Sequence, residues 1–147
     1  MTEKINLEDL EIKIESRKPV GMMEDYAVRV EELVFTAYLG SEVGHLTIDR
    51  FTKPTKEESE NAFFTDLELN KPRPWLFYMG VKEEVRGNRI AGAMVEFANE
   101  YYKSNFNTPL HSGTINSPDA IKVWERLVRQ DKAEEYVFED KRRWRLL

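Results

Sequence analysis

The sequence predicts an α+β domain built on one mixed, twisted β-sheet of about six to seven strands, flanked by two main helices. Three observations predict it. The first third of the chain alternates apolar and polar residues, as a meander of strands does. The middle reads strand, helix, strand, helix, an order that needs a parallel crossover with helices packed over the sheet. The C-terminal residues read as a closing hairpin. With 147 residues, the chain fits a single domain spanning 1–147, long enough to bury a core.

Residues 1–25 carry the weakest pattern. Ile12 and Ile14 alternate with Lys13 and Glu15, which predicts a short first strand ending before Pro19. Tyr26, Val28 and Val30 alternate with Ala27, Arg29 and Glu31, and a phase shift at Glu31-Glu32 leads into Leu33, Phe35, Ala37 and Leu39. That is either one strand with a bulge or two strands. Gly40-Ser41-Glu42 is a hairpin turn. Val43 to Phe51 returns, with His45, Thr47 and Asp49 on one face and Leu46, Ile48 and Arg50 on the other. Thr52 to Pro74 is a long charged connection containing Pro54, Pro72 and Pro74, in which Phe63, Phe64, Leu67 and Leu69 are the apolar anchors.

Trp75 to Val81 is a compact apolar strand. Ile90, Ala93, Met94, Phe97, Ala98 and Tyr101 recur at helical spacing, predicting a helix from about Asn88 to Ser104 that Phe106-Asn107-Thr108-Pro109 ends. Leu110 to Ile115 is a strand. Ser117 then caps a helix with Pro118 at its first position and Ala120, Val123, Trp124, Leu127 and Val128 on its apolar face. Tyr136-Val137-Phe138, the turn Glu139-Asp140-Lys141 and Arg142 to Leu147 complete the hairpin, whose basic last strand reads as a solvated sheet edge.

Composition narrows the function. Net charge is −5, which argues against a broad nucleic-acid surface. The chain has no cysteine, so no disulfide, thiol nucleophile or thiolate metal site. His45 and His111 lie too far apart in sequence for metal-ligand spacing, and no metal is expected. No apolar run approaches the roughly 18 residues of a transmembrane helix. No signal-peptide pattern opens the chain, so a cytoplasmic protein is expected.

The most informative stretch is Val81-Lys82-Glu83-Glu84-Val85-Arg86-Gly87-Asn88-Arg89-Ile90-Ala91. It joins a strand end to a helix start. Such a loop aims unpaired backbone N–H groups and the positive end of a helix dipole at one point, which favours a phosphate.

The same stretch resembles the pyrophosphate-binding motif of the GNAT N-acetyltransferase superfamily, a strand-end Val followed five residues later by Arg/Gln-x-x-Gly-x-Gly/Ala. Val81, Arg86 and Ala91 stand at matching places. Ser117 to Leu127 resembles the family's second motif, with Ala120 and Leu127 matching and Asn116 or Ser117 at its Asn. The resemblance covers residues 33–147, and the small front end looks most like GNAT-like proteins of tailed bacteriophages. It implies a GNAT-like fold and acetyl-CoA as cosubstrate for transfer to an amine, while the reduced N-terminal helical region between Ile14 and Tyr26 departs from the family, which has two helices there. Backbone groups of Met79, Gly80 and Val81 would meet the acyl and pantetheine parts. The N–H groups of Arg86, Gly87, Asn88, Arg89, Ile90 and Ala91 would hold the pyrophosphate, and Asn116 or Ser117 would reach the pantetheine arm.

The departures from the family pattern bear on activity. Arg89 replaces a glycine: its side chain either crowds the pyrophosphate or swings out to pair with phosphate oxygens. Trp124 stands where many members carry the Tyr that protonates the leaving thiolate, and an indole cannot serve as that acid. The Trp75–Val81 strand has no carboxylate, leaving Tyr78 as its ionisable side chain. A base could come from His111, from Asp66 or Glu68, or through a water. His45 receives no role. The alternative reading is a weakly active or inert GNAT-like binding protein, such as a phage accessory protein acting in the host cytoplasm.

Overall fold

Seven strands hydrogen-bond into one sheet: β1 (Glu11–Arg17), β2 (Arg29–Leu39), β3 (Ser41–Phe51), β4 (Pro74–Val81), β5 (His111–Ser112), β6 (Ala133–Phe138) and β7 (Lys141–Leu146). Their order is β1-β2-β3-β4-β5-β7-β6, and every neighbouring pair is antiparallel except β4–β5. Two helices, α1 (Ile90–Phe106) and α2 (Pro118–Arg129), form the two crossovers. These features come from a computed structural model, which describes residues 6–17, 29–51, 60, 73–87, 89–113 and 117–147. The connection carrying Asp66 and Glu68 lies outside the described residues, as do residues 18–28.

Alternation builds the core. β2 and β3 pair Leu33 with Ile48 and Phe35 with Leu46, which stacks four apolar side chains on one face. None is more than 3% exposed. α1 lays Met94, Ala98 and Tyr102 over them, all fully buried. Phe35 meets the rings of Phe97 and Tyr101 edge to face at 6.2 and 5.6 Å. Each such burial contributes about 1.5–3 kcal/mol, so this strip of side chains fixes which face of the meander α1 covers. On the same face Arg50 lies over the Phe106 ring at 3.8 Å while its Nε donates to Glu31 at 3.0 Å. The cation is satisfied without leaving the core edge.

The phase shift at Glu31 proves to be an irregularity within one strand, since β2 runs from Arg29 to Leu39 with its register broken between Arg29 and Glu31. Gly40 turns the hairpin with φ 79°, a conformation glycine adopts freely.

The helix expected from Asn88 to Ser104 sits two residues later, at Ile90–Phe106. Arg89 is left-handed, so regular helix cannot begin before Ile90. At the far end Phe106 packs on Tyr101 and Tyr102 and extends the last turn. Asn107, also left-handed, then closes it by donating its N–H to the Lys103 and Tyr102 carbonyls. α2 begins as the sequence indicates: Ser117 Oγ accepts the Ala120 N–H at 3.1 Å with Pro118 behind it.

Two expectations are corrected. The strand expected over Leu110–Ile115 is only His111–Ser112. Leu110 instead donates its N–H to Asn99 Oδ1 of α1 at 2.9 Å, which ties it to the helix. Residues 114–116 lie outside the described residues. The basic last strand is not an edge: β7 is inserted between β5 and β6, so β6 is the outermost strand. Its arginines are matched by glutamates across the ladder, Arg142 to Glu135 at 2.6 Å and Arg145 to Glu134 at 2.8 Å. Trp144 between them is fully buried. The connecting turn needs only Glu139 and Asp140, with φ 51° and 62°, the sign pattern of a two-residue hairpin turn.

Candidate functional site

Among the described residues β4 and β5 pair in parallel at two positions, Trp75 with His111 and Leu76 with Ser112. Gly113 follows close against β4, where a Cβ would collide with the Leu76 carbonyl oxygen. On its other edge β4 keeps β3 as far as Val81 opposite Gly44. β4 also borders a cleft of about 640 Å³.

The loop after Val81 closes one end of this cleft. Lys82 donates its N–H to the Val43 carbonyl at 2.8 Å, and the buried Val85 anchors a short 3-10 turn over Glu83–Val85. Arg86 Nε donates back to the Val81 carbonyl at 3.1 Å, so this side chain braces the loop across its own base. Gly87 has φ 88° and Arg89 has φ 62°. The glycine bears that conformation freely. The arginine pays about 1–2 kcal/mol for it. Arg89 is also the N-cap of α1 and makes no side-chain cap. The first-turn N–H groups of Ile90, Ala91 and Gly92, which have no acceptor within a helix, belong to residues lining the cleft.

Charge concentrates here. Lys82, Arg86, Arg89, Lys122 and Arg126 line the cleft, against the carboxylates of Glu42 and Asp119. In a chain of net charge −5, such a local excess of cations gives the cleft a potential that favours anions. Lys122 and Arg126 stand one helical turn apart on α2 beside Val123, opposite the loop. Sequence reasoning passed over both, although their i, i+4 spacing beside the apolar stripe was visible.

Of the residues singled out from sequence, Tyr78, Met79, Gly80, Val81, Arg86, Gly87, Arg89, Ile90, Ala91 and Ser117 all line the cleft. Asn88 and Asn116 fall outside the described residues. His111 is not part of the lining. It is fully buried and stacked on Trp75, with ring centroids 5.2 Å apart. Burial, then the positive charges of Arg145 and Arg73, hold its imidazole well below the usual histidine range, so it is neutral at neutral pH. Trp124 is likewise sealed in the core, and its indole N–H has no hydrogen-bond partner among the described residues.

His45 does line the cleft. It stacks on Tyr78 with centroids 4.9 Å apart and planes 24° apart. The alternation along β3 gives its face, but its neighbour on β4 depends on register across a long connection, which no local pattern reveals.

Comparison with known proteins adds the fold. No family model matches the chain, and no curated protein matches it in sequence. Among solved structures it is similar to the crystal structure of Arabidopsis thaliana NAA60 in complex with acetyl-CoA. The TM-score is 0.51 at 13% identity, over 78% of this chain and 73% of that one. The fold is GNAT-like. The seven-stranded mixed sheet and the two helices are what carry that likeness.

Proposed function

We propose that this protein is an acetyl-CoA-dependent N-acetyltransferase that transfers an acetyl group to an amine. The observation that carries this reading is the cleft beside β4, lined by the loop with its cations and by Tyr78 and Gly80. The size and charge fit a long ligand with phosphates at one end. The solved neighbour's complex with acetyl-CoA adds support at the level of fold.

In this reading the first-turn amides of α1 and the side chains of Arg86 and Arg89 hold the pyrophosphate, as charge-assisted hydrogen bonds. Met79 and Val81 offer backbone groups to the pantetheine and acyl parts. Ser117 Oγ, already accepting the Ala120 N–H, keeps its hydroxyl hydrogen for the pantetheine arm. The thioester supplies the activated acyl group. The protein supplies position and polarisation, the two largest contributions that such a transfer needs. In this reading the half-exposed Tyr78 hydroxyl hands a proton to the departing sulfur. His111 and Trp124 take no part, since neither lines the cleft.

Calorimetric titration with acetyl-CoA and CoA, paired with thiol release in the presence of primary amines, tests the proposal. Micromolar binding with amine-dependent thiol release is expected. No binding at millimolar ligand would overturn it. The burial of Trp124 favours a second reading, a binding protein without turnover. Tight CoA binding with no thiol release across a broad amine panel would select that one.

A further inference from the structure

We propose that His45 is the group that takes the proton from the incoming amine, an inference resting on the acyl-transfer reading above. β3 places His45 directly opposite Gly80 of β4. Gly80 has no side chain, so nothing on β4 screens the imidazole at that rung. The imidazole stacks instead on Tyr78, two residues earlier on the same face of β4. The Tyr78 ring in turn leans over Gly80: a Cβ built there would come within 2.8 Å of the phenol oxygen. An imidazole and a phenol therefore converge on the one β4 residue that lacks a side chain, in the lining of the cleft.

The other groups around the cleft are poorly suited to the task. Lys82, Arg86, Arg89, Lys122 and Arg126 carry ammonium and guanidinium groups, which are donors with no acceptor for the amine's proton. Asp119 sits in the first turn of α2, at the phosphate end. Glu42 lies on β3 itself, three residues before His45 and next to the hairpin turn, where it is exposed. β2 offers the uncharged Thr36 opposite His45. Tyr78 carries a phenol that in this reading serves the departing sulfur. β4 contributes no carboxylate. The imidazole of His45 carries a ring nitrogen whose lone pair can accept a proton.

The step balances as follows. His45 accepts one proton from the ammonium. The freed nitrogen lone pair forms the C–N bond to the thioester carbon while the C–S bond breaks, its electron pair leaving on sulfur. A second proton from nitrogen passes to that sulfur through the Tyr78 hydroxyl, which is regenerated. The third nitrogen proton stays in the amide, and His45 later returns its proton to water.

Bromoacetyl-CoA tests the placement without knowledge of the natural acceptor. Its CH2 carbon lies near the position of the thioester carbonyl, and an adjacent neutral imidazole displaces bromide to form a C–N bond. Incubation followed by peptide mass mapping is expected to show one adduct, on His45. His45→Gln is expected to lose the adduct while retaining CoA binding within about twofold by calorimetry, and to lower amine-dependent thiol release about 100-fold. CoA binding with the adduct on Tyr78, Met79 or elsewhere, and none on His45, overturns the proposal and leaves the acyltransferase reading standing. Absence of CoA binding to the unmodified protein overturns both.

Discussion

The indole rings of Trp124 and Trp144 lie nearly parallel, 7° apart in plane with centroids 6.2 Å apart, and both are fully buried. One comes from α2 and the other from β7, so the stack locks the second crossover helix to the strand that closes the sheet. Trp124→Ala is expected to destabilise the fold by about 3–5 kcal/mol, read as a lowered urea midpoint with an unchanged slope. Trp124→Tyr keeps a ring but buries a hydroxyl, and should cost less than the alanine variant without raising thiol release. A gain in turnover in the tyrosine variant would show that this position reaches the cleft after all.

Arg89 occupies a left-handed conformation at the N-cap of α1. Arg89→Gly removes the steric cost and is expected to change stability by no more than about 1 kcal/mol, because the glycine also gains freedom in the unfolded chain. Its effect on ligand separates the two roles open to the side chain. If the guanidinium pairs with phosphate, acetyl-CoA affinity falls severalfold in the glycine variant. If it crowds the loop, affinity rises. The cation-lined cleft leads us to expect the fall.

Lys122 and Arg126 face the loop from α2. Reversing both, Lys122→Glu with Arg126→Glu, is expected to weaken acetyl-CoA by at least about tenfold, or about 1.4 kcal/mol. Raising the salt should weaken binding to the unmodified protein far more than to the double variant, because screening acts on exposed charges. Equal salt sensitivity in the two proteins would exclude a role for this pair.

His111 gives a pH signature of its own. Its imidazole is held below the ordinary range in the folded protein, while the unfolded chain protonates near pH 6.5. The unfolded state therefore binds more protons as pH falls through that value. Stability is complete above about pH 6.5 and declines below it, by up to about 1.4 kcal/mol per pH unit from this group. Urea unfolding at pH 7.5 and 5.5 checks this, and the difference should shrink in His111→Gln. An equal decline in the variant would assign the effect to carboxylates instead.

Much of the fold was legible because the chain punctuates itself. Ser117-Pro118 announces α2, and the spacing from Ile90 to Tyr101 announces α1. The cleft's backbone contributors could be named from the loop between Val81 and Ala91, since a strand–loop–helix unit is a local structure. What escaped was non-local. Arg142 and Arg145 read as solvated until the order of β7 and β6 supplied Glu135 and Glu134 as partners. His45 carried no signal until register set it against Gly80. Burial of His111 depends on Trp75, a residue from another strand and far away in sequence.

The cleft beside β4 has a thermodynamic consequence. Tyr78 to Val81 of β4 and the start of α1 come together there only when the chain is folded, and anything that seats against them binds the folded chain and not the unfolded one. Such a ligand stabilises the protein by mass action, by about 2.7 kcal/mol at a hundredfold excess over its dissociation constant. The melting temperature should then climb with ligand concentration, and a thermal shift across a collection of acyl-CoA thioesters would rank acyl groups by fit, before any acceptor is known.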